Sequence, residues 1–344
     1  MNPKDKIKVL VVDDSAVFRE VLSRGLSSDP NIEVVAKAID PFDAVDKIMQ
    51  YKPHVITCDI EMPKMNGIEF IRRLMPQYPL PVVVVSTISQ AVFDAMNAGA
   101  VDFVTKPDMQ YVGAVENFIN DMIVKVKIAA MSKVALYDTD IAKGKEIKKG
   151  SRETGIEIIA IGASTGGTVA LQELLKVMHP NMPGIVITQH IPPVFSRMFA
   201  ERLDSSMSLS VKEAQTGDVV KKGKVLIAPG DRHMIVKKYG SCYKVECYAG
   251  DKVNGHCPSV DVLFESVARE AKNQSIGIIL TGMGRDGAKG LLSMRRAGAQ
   301  TIGQDQGSSV VYGMPKVAYD IGAVKYQLPL EIISSAVDAI LKER

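Results

Sequence analysis

Short apolar runs alternate along most of this chain with stretches of helical periodicity, and that alternation leaves little choice of architecture. Ile7 to Val12, Glu33 to Ala36, Val55 to Cys58, Val82 to Val85 and Val101 to Thr105 are strand-like, while Val17, Val21, Leu22 and Leu26 recur at helical spacing between the first two. Strand, helix, strand in series calls for a parallel sheet, because a parallel neighbour can be reached only by a long crossover connection. Asp40-Pro41 reads as an N-cap followed by proline at the first helical position, and Gly99 closes the segment Ala91 to Ala98. A helix around Val112 to Ala130 completes the unit.

From about Met131 to Thr154 the periodicity fades, and Lys143, Lys145, Lys148, Lys149 and Arg152 gather with Gly144 and Gly150. This reads as a solvated linker. With 344 residues the chain exceeds the size at which one core usually splits. The expected organisation is therefore a first domain over 1–130, a linker over 131–153 and a second domain over 154–344. A new βα series starts at Ile156, with strands at Gly184 to Thr188, Val225 to Ala228, Ile276 to Leu280 and Gln300 to Ile302. Helices are expected near Val169 to Met178, Val260 to Ala271 and Gly287 to Arg296. Met234 to Lys238 and Tyr243 to Tyr248 flank Tyr239-Gly240-Ser241-Cys242, a β-hairpin set into the parallel scheme. The second unit is thus expected to be a doubly wound, mostly parallel α/β domain with a hairpin insertion.

Composition narrows the class. Hydrophobic residues at 46% and charged ones at 24% describe an ordinary globular chain, and a net charge of +3 is too small to argue for nucleic acid. The first apolar run is interrupted early by Asp13 and Asp14, so it is no signal peptide, and no stretch is long enough for membrane insertion. A cytoplasmic protein with reduced thiols is expected, since Cys58, Cys242, Cys247 and Cys257 show no paired spacing.

Ligands of open α/β sheets sit beyond the carboxyl ends of the strands, which gathers Asp13, Asp14, Asp59, Ser86 and Lys106 into one pocket. Three carboxylates suit Mg²⁺, a hard ion that needs a few protein oxygens and keeps several waters. Asp59 then has the chemistry of a phosphoryl acceptor, with Lys106 supplying a charge and Ser86 a hydroxyl to the phosphoryl oxygens.

In the second unit, Gly162-Ala163-Ser164-Thr165-Gly166-Gly167 follows an apolar run and places Ser164 on a strand-to-helix turn, where a nucleophilic hydroxyl would sit. Such a turn serves nucleotide phosphates equally well. The run from Gly184 to Gln189 delivers His190 to a strand end as a candidate general base, and the loop from Thr281 to Gly287 carries Asp286 as the acid that would orient it. Taken alone, Asp286 is also a candidate helix N-cap. The chain order Ser, His, Asp differs from that of α/β-hydrolases and implies a separate lineage.

VLVVDDS, CDIEMPKMNG, VVVVST and TKP resemble two-component receiver domains over about residues 5 to 125. That resemblance implies a flavodoxin-like fold with a five-stranded parallel sheet, phosphorylation at Asp59, Mg²⁺ on Asp13, Asp14 and Asp59, and Ser86 and Lys106 as switch residues. With IGASTGG, ITQHIPP, FAERLD, APGDRHM, HCPSVDVLFESVA, LTGMGRDGAKG and VVYGMP, nearly the whole chain resembles the chemotaxis methylesterase family CheB. The resemblance implies hydrolysis of glutamate γ-methyl esters, and in many members deamidation of glutamines, on methyl-accepting chemoreceptors. It names a chemotaxis histidine kinase as phosphodonor and no cofactor for the ester chemistry. Ser164, His190 and Asp286 fall on the family's triad, and Thr165 and Met283 on neighbours expected to support the oxyanion. The sequence departs from the family at Val194, where glycine is common, at Arg285, where asparagine is common, and at Cys257, where a basic residue is frequent.

Two other classes fit the sequence less well. A nucleotide-binding oxidoreductase lacks its full glycine pattern here, because position 164 is serine. A DNA-binding regulator lacks a helix-turn-helix pattern in its output domain. The sequence therefore reads as a serine esterase whose receiver is expected to cover the active site until Asp59 is phosphorylated.

Overall fold

A computed structural model describes residues 6–87, 90–108, 110–134 and 155–342. The chain divides into two compact units, Met1–Tyr137 and Asp138–Arg344. Beyond position 134 the expected linker lies outside the described residues.

The first unit runs β1 Ile7–Val12, α1 Ala16–Ser27, β2 Ile32–Ala38, α2 Pro41–Tyr51, β3 Val55–Asp59, α3 Gly67–Leu74, β4 Val82–Ser86, α4 Ala91–Asn97, β5 Asp102–Thr105 and α5 Ala114–Ala129. Its strands pair in parallel in the order β2-β1-β3-β4-β5, the flavodoxin-like arrangement. Helices on both faces explain the unbroken apolar runs: Val82, Val83, Val84 and Val85 are all at most 1% exposed. Asp40 caps α2, its Oδ1 accepting the Phe42 and Asp43 N–H groups at 3.0 and 2.9 Å. Sequence periodicity did not reveal α3, which is short and is signalled by Asn66, whose side chain accepts the Glu69 N–H.

The second unit comprises β6 Ile158–Ala163, α6 Gly167–Lys176, β7 Gly184–Gln189, α7 Phe195–Ser206, β8 Ser210–Glu213, β9 Val219–Val220, β10 Lys224–Ile227, β11 His233–Tyr239 and β12 Cys242–Tyr248. It continues with α8 Val260–Glu270, β13 Ser275–Ile279, α9 Ala288–Arg296, β14 Gln300–Gln304, α10 Met314–Asp320, β15 Tyr326–Leu328 and α11 Leu330–Lys342. The main sheet has the order β15-β14-β13-β6-β7-β10-β8, and every pairing in it is parallel. From β6 the chain winds outward through β7, then returns to lay β13 on the other side of β6. Strand order therefore reverses at β6, where an open sheet forms its binding crevice.

The expected hairpin insertion is β11–β12, and with β9 it forms a separate antiparallel sheet in the order β11-β12-β9. Its alternating pattern turns Met234, Val236, Tyr243 and Val245 into one core with Phe264, Leu291 and Met294. Ser266 on α8 anchors the hairpin by accepting the Val236 N–H at 2.9 Å.

Candidate active site

The three residues expected to carry the ester chemistry come off three adjacent strands. Ala163 and Gln189 are register partners at the ends of β6 and β7, so the next residues, Ser164 and His190, leave neighbouring strands side by side. On the other flank of β6, β13 leads through Leu280 to Asp286. Backbone bonds tie the strand ends together: His190 N–H donates to Ala163 O at 3.1 Å and Ser164 N–H to Thr281 O at 3.0 Å. Gln189, 3% exposed, donates from Nε2 to the Ser164 carbonyl at 2.9 Å and to that of His190 at 3.1 Å. Gly282 permits close approach on the β13 side, since a Cβ there would lie 2.6 Å from Ser164 Cβ and 2.5 Å from Met314 Sδ. That brings the Gly282 backbone against Ser164.

His190 Nε2 meets Asp286 Oδ2 at 2.8 Å, with the two side chains 8% and 1% exposed. His190 Nδ1 is buried and has no hydrogen-bond partner among the described residues, so Ser164 and His190, though neighbours, are not hydrogen bonded. Hydroxyl–base contacts of this kind commonly tighten only when substrate binds.

Asp286 does not begin or cap the helix that follows it. α9 starts at Ala288 behind Gly287, whose φ is 86°. The carboxylate instead reaches the start of α8, where Oδ2 accepts the Val260 N–H at 2.7 Å and Oδ1 the Asp261 N–H at 3.2 Å. Oδ1 also accepts Ser259 Oγ–H at 2.7 Å and the Asn254 amide at 2.8 Å. Burial works to raise this carboxyl, but the hydrogen bond and charge of His190, with Asn254 and Ser259, outweigh it and hold the group well below the usual carboxylate range. The free N–H groups and dipole of α8 favour the same ionised state.

Sequence reasoning missed Asn254 and Ser259. Both carried a local signal: Asn254-Gly255 is the strongest dipeptide for a two-residue hairpin turn, and Ser259 precedes an amphipathic run as its N-cap. Among the other histidines, His233 is occupied structurally, its Nε2 on Asp251 O at 2.8 Å and its Nδ1 accepting the Ser259 N–H at 3.2 Å. Thr165, next after Ser164, is 7% exposed and its carbonyl accepts Thr281 Oγ1–H at 3.0 Å, while Met283 follows Gly282 in the loop after β13.

In the first unit the expected pocket is assembled. Asp13, Asp14 and Asp59 offer carboxylate oxygens all within 4.8 Å of one another, Asp14 exposed and the others buried. Lys106 Nζ lies 2.5 Å from Asp59 Oδ2 and 3.4 Å from Asp13 Oδ2. Burial raises the Asp59 carboxyl above its ordinary value against the opposing pull of Lys106. Burial depresses Lys106, but Asp59 and Asp13 outweigh it and its pKa is raised. Asp13 Oδ2 and the Ser86 hydroxyl, both buried, have no hydrogen-bond partner among the described residues. An all-oxygen donor set whose Asp13 Oδ2 has only the Lys106 ammonium at 3.4 Å fits a hard divalent cation, and the unpartnered Ser86 hydroxyl fits an added oxyanion.

The two sites define a response-regulator receiver followed by an α/β enzyme unit whose serine, histidine and aspartate lie at a sheet's switch point. Comparison with known proteins agrees with that class. Residues 159–337 match the family model for CheB methylesterase, and residues 9–113 that for the response regulator receiver domain. The protein-glutamate methylesterase/protein-glutamine glutaminase 2 of Syntrophomonas wolfei is 55% identical over 98% of this chain and 98% of its own. The protein-glutamate methylesterase/protein-glutamine glutaminase of Syntrophotalea carbinolica is 47% identical over 98% and 99%. The crystal structure of the Thermotoga maritima CheB methylesterase catalytic domain covers 54% of this chain and 98% of its own at 38% identity and a TM-score of 0.53. The chain belongs to the CheB methylesterase family and carries that family's N-terminal receiver domain.

Proposed function

We propose that this protein is a phosphorylation-activated serine esterase of the cytoplasm that hydrolyses glutamate γ-methyl esters, and deamidates glutamines, on methyl-accepting chemoreceptors. The observation that carries the chemistry is the His190–Asp286 pair: with Nε2 held by Asp286, the buried and unpartnered Nδ1 is the nitrogen available to Ser164. In this reading Ser164 Oγ gives its proton to Nδ1 and attacks the ester carbon. The oxyanion is stabilised from the Thr165 and Met283 backbone. Collapse expels methoxide, which takes the proton from Nδ1 and leaves as methanol. Water, losing a proton to the same nitrogen, then attacks the acyl carbon and returns Ser164 with a glutamate γ-carboxyl group. An amide substrate follows the same route with ammonia as the leaving group. Asp286 stays ionised and stabilises the imidazolium in both halves.

For the receiver, Asp59 accepts the phosphoryl group from a histidine kinase, with Lys106 and Ser86 on its oxygens. Mg²⁺ would be held by Asp13, Asp14 and Asp59 and would neutralise the phosphoryl oxygens when bound. Methanol release from methylated receptor membranes, with and without a small-molecule phosphodonor, tests the whole reading. Wild-type protein should respond, Ser164→Ala should release none, and a fully active Ser164→Ala variant would overturn the assignment.

A further inference from the structure

The turn that holds Asp286 delivers a second imidazole to the same place. Val253 and His256 exchange backbone hydrogen bonds of 3.0 Å in each direction, and Asn254 and Gly255 between them have φ of 53° and 86°. From this tight turn Asn254 sends its amide to Asp286, while His256 lays its ring flat on His190, the centroids 3.7 Å apart and the planes within 9°. The proton transfers described above make no use of His256.

A single hydrogen bond from Nε2 leaves the His190 ring free to pivot about that bond. Nδ1, which must face the serine, would then sweep out of line. A flat contact on the ring face removes this freedom and covers the face from water. Two stacked imidazoles repel when both are charged, whereas a neutral ring presents a π face that tolerates positive charge developing on its neighbour.

We propose that His256 is a positioning residue for the general base, a neutral ring that fixes the plane of His190 between Asp286 and Ser164. The inference rests on the triad reading of those three residues. The charged and titratable groups that bear on His256 are His190, Asp286 and Lys252. Burial first, then His190 and Lys252, push its pKa down against the pull of Asp286, to about 4, so the ring is neutral near pH 7.

The test uses the full chain with a phosphodonor and methylated receptor membranes. His256→Ala should lower kcat by about ten- to a hundredfold with KM unchanged, the size expected when a catalytic group loses its alignment. His256→Phe, which keeps a flat ring and no proton, should restore kcat to within about threefold of wild type and leave the acid limb of the pH profile where it was. A wild-type kcat for His256→Ala would overturn the inference, as would a His256→Phe variant no faster than alanine or an acid limb displaced by phenylalanine. His190→Gln separates the two levels. Full activity there would bring down the triad reading and this inference together, whereas an inactive His190→Gln beside an unaffected His256→Ala would sink this inference alone.

Discussion

The Val260 N–H donates to Asp286 Oδ2 at 2.7 Å, onto the same oxygen that meets His190 Nε2. A helix start, a buried carboxylate and an imidazole are thereby linked through one atom, and the charge on Asp286 is supported from both sides.

Replacing that oxygen by an amide should therefore cost more than charge. In Asp286→Asn an –NH₂ in the Oδ2 position would face the Val260 N–H donor and force His190 into the tautomer with its proton on Nδ1, where it cannot act as base. Turnover should fall by about a thousandfold or more. His190→Gln should do the same, and the double variant should be little worse than either alone. Multiplicative losses in single-turnover methanol release would mean that the two do not share one proton-transfer unit.

Ser164→Ala removes one oxygen, while the Ser164 N–H bond to Thr281 O and the Gly167 N–H and Gln189 Nε2 bonds to the Ser164 carbonyl are made by backbone that alanine keeps. Ester hydrolysis should vanish while the urea unfolding midpoint stays put and Asp59 still takes label from a phosphodonor. A trapped acyl group should be found at Ser164 in the wild type by mass spectrometry.

Asp59→Asn should abolish stimulation by a phosphodonor while leaving basal hydrolysis of a small activated ester intact. If the receiver controls access, removing the residues before about Gly150 should raise basal activity on receptor. A truncated enzyme no faster than the unphosphorylated full chain would argue instead for activation by direct contact or recruitment.

Val194 adopts φ 70° and ψ −48° just ahead of α7, a conformation a β-branched residue reaches only under strain. Val194→Gly should relieve it, and because the side chain is 41% exposed little burial is lost. A net gain of about 1 kcal/mol is expected after the extra entropy of glycine is subtracted. Urea denaturation would show this as a raised midpoint, and a lowered one would contradict the strain argument.

His256 also makes stability depend on pH. Its pKa falls from an ordinary 6.5 to about 4 in the folded chain, so between those values the unfolded chain binds a proton that the folded chain does not. Stability should fall as pH drops from 6.5 to 4, by roughly 3 kcal/mol at most from this group. His256→Phe should flatten that slope. Equal slopes in urea titrations of the two proteins would place the pH dependence elsewhere.

Sequence alone was enough for most of the strands, for the flavodoxin-like and doubly wound character of the two units, and for Ser164, His190 and Asp59 as strand-end residues. Period-2 and unbroken apolar runs are local signals, and the rule that ligands gather at the carboxyl ends of strands needs nothing more. Short elements such as α3, β8, β9 and β15 escaped, because a few residues carry too little periodicity. The hairpin was legible but its sheet was not, since antiparallel pairing with β9 joins segments separated in sequence. Asp286 shows the limit most clearly. The sequence offered it as the acid that orients His190 and, taken alone, as a cap for its own helix; the side chain meets His190 but caps α8 instead, and with α8 come Asn254, Ser259 and the stacked His256. A side chain's partner across some 30 residues is decided by how helices pack on the sheet, and packing is a property of the whole fold that no local pattern encodes.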